Sequence, residues 1–189
     1  MKSNANQKKV KILYGWGEGK RYGKEFRKLL RKNGYRMTNK TNNADIIIAH
    51  SGGNFLLPYD TKAQVILLIG LPYWPGKHPI KSLREKLIMD FASSPISHFM
   101  YKTIFIGIYT FIKPRYHYKI WKNRNRFAET DATKSRMVVV RNQHDSFTHP
   151  YKIADITKDK WTRVSLPGGH DDLWENPKKY IDLITTQFP

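Results

Sequence analysis

The sequence predicts an α/β chain, a mostly parallel open sheet flanked by helices. Three observations carry this reading. Short, near-continuous apolar runs recur at Val10–Tyr14, Ile46–Ala49, Gln64–Ile69 and Met137–Val140, as expected of strands covered on both faces. Helical periodicity alternates with these runs, which favours parallel strands joined by crossovers. Residues able to do chemistry, among them Ser51, Asp145 and His170, come just past strand ends, where this architecture gathers its ligands.

Val10–Tyr14 is β-rich and ends in the glycine-punctuated loop Gly15-Trp16-Gly17-Glu18-Gly19. Lys20–Asn33 reads as a helix with Tyr22, Phe26, Leu29 and Leu30 on one face and Gly34 as its stop. Tyr35–Thr38 is a second strand, and the polar Asn39–Asn43 leads into the strand at Ile46–Ile48. Gly52–Leu57 has room only for a short helix before Pro58, and Gln64–Ile69 is the next strand. Thr162–Leu166 is the last strand. Asn176-Pro177 supplies an N-cap and first residue for a closing helix that buries Tyr180, Ile181 and Ile184.

Between Pro72 and Ser135 the pattern changes. Pro79–Ala92 is amphipathic, Phe99–Ile112 is apolar and aromatic, and Tyr116–Phe127 is basic and aromatic. We read this stretch, about residues 73–135, as a helical cap inserted into a single domain spanning 1–189. Such an insertion sits over the C-terminal ends of the strands.

The 189 residues suffice for one continuous core. With no cysteine, the chain has neither disulfides nor thiolate metal sites. Its first nine residues are polar and basic, so a secretory signal is not expected and the cytoplasm is the default location. Lys and Arg number 34 against 15 Asp and Glu, a net charge of +19. That field draws anionic partners, yet no zinc-finger spacing, RNA-recognition motif or phosphate loop accompanies it, which argues against a nucleic-acid module. No acidic residue occurs from Phe91 through Ala128. The 99–127 segment is therefore a candidate for lying on an anionic membrane surface, and it is too short and interrupted to span one.

In Ala49-His50-Ser51-Gly52-Gly53 an apolar strand runs straight into a serine flanked by small residues. A tight strand-to-helix turn of this kind exposes the hydroxyl and brings the flanking backbones into near contact. Serine is a weak nucleophile without a base. His170, in the loop Leu166–Asp172, is the candidate base, and Asp145, in Arg141–Pro150, the candidate acid that orients it. His50 is the rival base, but as the sequence neighbour of Ser51 its side chain is expected to point away. Asp171 and Asp172 read as solvated loop charge.

On these residues the chain resembles the α/β-hydrolase superfamily, in particular its small single-domain serine hydrolases. The likeness runs from the Gly15-Trp16 loop through Ser51 and Asp145 to Gly169-His170. It implies Ser51 as nucleophile, Asp145 as acid and His170 as base, with the N–H groups of Trp16 and Gly52 donating to the oxyanion. It implies a small-molecule ester or related acyl substrate, and no cofactor or metal. Separately, Tyr73, Trp74 and the aromatics of the cap suggest an apolar pocket and equally a well-packed core. Ala49 stands where the family usually has glycine, and Tyr14 where a histidine often precedes the loop glycine. The helix usual before the nucleophile strand is shrunken in Asn39–Asn43. The competing expectation is a non-catalytic protein of the same fold that binds nucleic acid, an anionic membrane or acidic partners through its basic surface.

Overall fold

In the computed structural model the described residues are 7–15, 18–58, 61–71, 104, 108, 111–123, 135–145 and 161–187. Six parallel strands form one sheet in the order β2-β1-β3-β4-β5-β6. They are β1 (Lys9–Leu13), β2 (Arg36–Met37), β3 (Ile46–His50), β4 (Val65–Ile69), β5 (Arg136–Asn142) and β6 (Thr162–Leu166). The described helices are α1 (Lys24–Lys32), α2 (Pro114–Asn123), α3 (Asp172–Glu175) and α4 (Pro177–Gln187). Short 3-10 turns cover Thr41–Asn43 and Ser51–Leu56. None of the described helices is long and apolar enough to cross a membrane.

The strand order follows from how the chain winds. It starts at β1, steps outward to β2, then returns past β1 to β3 and continues to β6. The reversal lies between β1 and β3, so the segments leaving their C-terminal ends part there and open a crevice. Residues 15 and 51 stand on its two lips.

Alternation along the central strands sorts the core into two layers. Ile46 and Ile48 of β3, Leu67 and Ile69 of β4, and Val138 and Val140 of β5 meet Phe26 and Leu30 of α1 and Tyr180, Ile181 and Ile184 of α4. Ile47, Ala49, Ile66, Leu68 and Val139 face the other way, against Phe55, Leu57 and Trp161. All five residues of β3 and all five of β4 are buried, which is why these strands carry no polar alternation.

Helix α1 ends at Asn33. Gly34 follows with φ +85°, and its N–H bonds Arg31 O while the N–H of Tyr35 bonds Leu30 O, both at 3.0 Å. This paired closure needs a left-handed residue, which glycine adopts at no steric cost. The helix begins at Lys24, four residues later than its periodicity predicts, and Tyr22 lies exposed in the preceding turn. Gly23, a poor helix residue, occupies the N-cap, close against the rings of Tyr14 and Trp174.

Candidate active site

Ser51 has φ +50° and is the one non-glycine residue with positive φ among those described. A left-handed serine costs of order 1–2 kcal/mol, so the surroundings must hold it. They do so in two ways. Asn54, fully buried, donates from Nδ2 to Ser51 O at 2.7 Å and to Ile69 O at 3.0 Å, clamping the turn to the end of β4. Gly53 lies so close to β1 that a Cβ there would land on the Leu13 carbonyl. The small residue two positions past the serine is thus a steric necessity, and Ala49, two before it, is completely buried.

His170 follows β6 and Asp145 follows β5. Both carboxylate oxygens of Asp145 lie 3.0 Å from His170 Nδ1. The Asp145 side chain is fully buried and that of His170 is 11% exposed. Nδ1–H donating to a carboxylate fixes the tautomer in which Nε2 is the proton acceptor. The ring packs against Gly70, whose φ is +55° and where a Cβ would sit 3.2 Å from both the imidazole Cε1 and Asp145 Oδ2. His50 pairs with Ile69 across β3 and β4, so Ser51 and Gly70 leave the sheet side by side. The Asp145–His170 couple therefore stands at the strand ends that Ser51 follows. Gly52 is buried in the first turn after Ser51. Trp16, Tyr73 and Trp74 lie outside the described residues, as does most of the predicted cap.

A second set of buried groups braces the loop that carries His170. The Tyr180 hydroxyl lies 2.7 Å from Asn142 Oδ1 and 2.9 Å from Asp172 Oδ2. Asn142 Nδ2 donates to Gly169 O at 2.7 Å, one residue before the base. Asn176 Nδ2 and Lys179 Nζ complete the shell of Asp172. Burial, reinforced by Asp172, pushes the Tyr180 phenol well above its ordinary range. Asp172, expected to be solvated, is buried at 3% exposure. Its charge is satisfied by the Lys179 ammonium and by donors on α4 and the turn before it, none of which is adjacent in sequence.

Both ring nitrogens of His50, the rival candidate base, are engaged in hydrogen bonds. His50 is fully buried; its Nε2 lies 2.8 Å from the His170 carbonyl and its Nδ1 2.6 Å from Glu18 Oε1. A carbonyl only accepts, so Nε2 carries a proton and cannot take one from Ser51. Burial alone would lower the pKa of His50, but the charge and hydrogen bond of Glu18, with the His170 carbonyl, hold it above the usual value. The pairing of Glu18 with His50 escaped the sequence reading, because it spans 32 positions. Glu18, His50 and His170 also offer ligand-type atoms within 4.8 Å of one another. Glu18 and His50 are hydrogen-bonded to each other.

The chain is similar to several solved structures over nearly its whole length. One is an esterase from Thermogutta terrifontis, with TM-score 0.65, 13% identity, and coverage of 96% of this chain and 89% of that one. A second is a carboxylesterase from the thaumarchaeon Nitrososphaera gargenis, with TM-score 0.63, 13% identity and coverage of 96% and 90%. A third is the thioesterase domain of the curacin biosynthetic pathway, with TM-score 0.61, 13% identity and coverage of 97% and 92%. No protein-family model and no curated protein matches the chain in sequence. At this identity the likeness concerns architecture: the chain has the α/β-hydrolase fold.

Proposed function

We propose that the protein is a serine hydrolase that cleaves a carboxylic ester or related acyl compound through an acyl-enzyme. The observation that carries this reading is the buried Asp145–His170 couple beside a strained Ser51 at the strand ends. In this mechanism Ser51 Oγ attacks the acyl carbon while His170 Nε2 takes its proton, and Asp145 stabilises the imidazolium. The N–H of Gly52, with that of Trp16, receives the developing oxyanion, each such donor contributing roughly 3–4 kcal/mol. His170 then protonates the leaving group, and water, activated by the same imidazole, releases the acid. Tyr73 and Trp74 line the acyl pocket in this reading. The similar solved structures include proteins named as an esterase, a thioesterase domain and an enol-lactonase, which supports the reading.

A fluorophosphonate probe tests the reading directly. Wild-type protein should label at Ser51, and Ser51→Ala should abolish labelling without changing the circular dichroism spectrum. Wild type that never labels would refute the hydrolase assignment and favour a non-catalytic binding protein of this fold.

A second reading concerns where the substrate comes from. Ile104, Ile108, Phe111 and Ile112 are helical in backbone, exposed, and spaced to share one face, with Phe111 90% exposed. Exposed Lys113, Arg115, Lys119 and Lys122 follow on α2 or just before it. The net charge of +19 repels a second copy and suits an anionic surface. Tyr116 donates to the Tyr14 carbonyl at 2.8 Å, tying α2 to the crevice. On this reading the protein takes an acyl lipid from an anionic membrane. Co-sedimentation with phosphatidylserine vesicles should be lost in Phe111→Asp; equal binding to neutral vesicles would count against it.

A further inference from the structure

We propose that Glu18 and His50 act as a charge-neutral positioning pair for the His170 base. The pair ties the segment after β1 to the His170 backbone and cancels a second carboxylate beside the imidazole. The inference rests on the hydrolase reading and adds to it two residues that do not touch the substrate.

The geometry forms one unbroken chain of hydrogen bonds across the crevice. The Gly15 N–H donates to Glu18 Oε2 at 2.7 Å. Glu18 Oε1 meets His50 Nδ1 at 2.6 Å, and His50 Nε2–H donates to the His170 carbonyl at 2.8 Å. Gly15 immediately precedes Trp16, the residue assigned to the oxyanion hole. A single link therefore sets Gly15, at the end of the described segment after β1, relative to the loop that carries the base.

Protonation follows from the same contacts. Nε2 faces a carbonyl and must hold a proton. Glu18 accepts a backbone N–H on its other oxygen, which favours the carboxylate, so the remaining proton resides on His50 Nδ1. The pair is imidazolium and carboxylate, with no net charge. Its members are buried at 0% and 7% side-chain exposure.

The cancellation matters because the offered atoms of Glu18 and His170 lie within 4.8 Å of each other. His170 already has Asp145 as its orienting acid. An uncompensated second anion would hold a proton on the base and block the abstraction from Ser51. The His50 ring, 4.9 Å from that of His170 between centroids, supplies the compensating charge. Among the described residues, the other groups around the pair include Asp171 beside the base, which adds a weaker attraction for the His50 proton, the Tyr14 phenol, which interacts electrostatically with Glu18, the uncharged Trp174 ring of α3, and the backbone of Gly70, just after β4, against His170. None of them could replace His50 as a cation. A buried ion pair adds little net stability compared with apolar residues of the same volume, so its retention here suits a role at the site.

Two measurements test this. Ring 15N NMR of wild-type protein at pH 7.5 should show both nitrogens of His50 protonated, and Glu18→Gln should remove one of those protons. A wild-type His50 with one proton overturns the proposal, and this readout does not depend on activity. The second measurement is the pH profile of fluorophosphonate labelling. His50→Gln leaves Glu18 unopposed, so the acid limb of the profile should move up by about two pH units, as expected for a unit charge roughly 5 Å away at an effective dielectric constant of about 20. The double variant Glu18→Gln/His50→Gln should return the limb to within about 0.3 units of wild type, with a plateau still about tenfold low because the tether is gone. A lowered plateau with an unmoved limb in His50→Gln means a purely structural role and overturns the proposal. If His50→Gln does not fold, Glu18→Gln alone must keep the wild-type limb and lose about tenfold at the plateau. If wild type never labels, the hydrolase reading fails and the NMR result decides this proposal by itself.

Discussion

Replacing Asp145 by Asn keeps the shape of the acid and removes its charge. Both carboxylate oxygens stand 3.0 Å from His170 Nδ1, and the Asp145 side chain is fully buried. At an effective dielectric constant of about 20, opposite unit charges near 3.0–3.5 Å attract by about 5 kcal/mol. That energy is realised only when His170 becomes an imidazolium, in the transition state. Its loss corresponds to roughly three to four decades in rate. The Asn amide also donates where Nδ1–H used to, which disfavours the productive tautomer. Asp145→Asn should thus lower kcat about 10³- to 10⁴-fold on an ester substrate, with KM changed less than about threefold. Steady-state kinetics on the labelling-competent protein is the assay, with thermal unfolding as a control for folding. Retention of a tenth or more of wild-type kcat would refute the assignment of Asp145 as the orienting acid.

Other outcomes follow from contacts already described. Gly53→Ala forces a methyl onto the Leu13 carbonyl and should destabilise by about 1–3 kcal/mol or more in urea denaturation; unchanged stability would show that β1 and the serine turn are not so closely packed. Tyr180→Phe leaves Asn142 and Asp172 without their shared hydroxyl and should cost about 1–3 kcal/mol, read from the shift in denaturation midpoint. His50 has a raised pKa in the folded state. Its contribution to stability is therefore complete below the unfolded value near 6.5 and is lost as pH rises through the folded one. Denaturation midpoints should fall with pH above about 6.5 in wild type, and the part due to His50 should vanish in Glu18→Gln; identical slopes in the two proteins would contradict the pairing.

Much of the sheet was legible because burial on both faces leaves an unambiguous trace. The run at Gln64–Ile69 matches β4 to within a residue, Thr162–Leu166 matches β6 at the sheet edge through alternating rather than continuous burial, and Gly34 ends α1 where its φ requires it. The order Ser51, Asp145, His170 was readable because each residue follows a strand, so local pattern alone brings all three to one edge. The helix α3 was missed, being only four residues long and too short for periodicity. The Glu18–His50 contact and the Asn142–Tyr180–Asp172 cluster were illegible for a different reason. A buried polar residue looks like an exposed one until its partner is known. These partners lie 32 residues apart in one case and up to 38 in the other, joined only by the way the loops converge.

The contact of Tyr180 with Asn142 has a consequence for the chain as it is made. A nascent polypeptide that has delivered Ser51 and Asn142 but not yet α4 lacks the phenol that braces the amide holding the Gly169 carbonyl. On the proposed hydrolase reading, the His170 loop reaches its final rigidity only after that helix has been made and has docked.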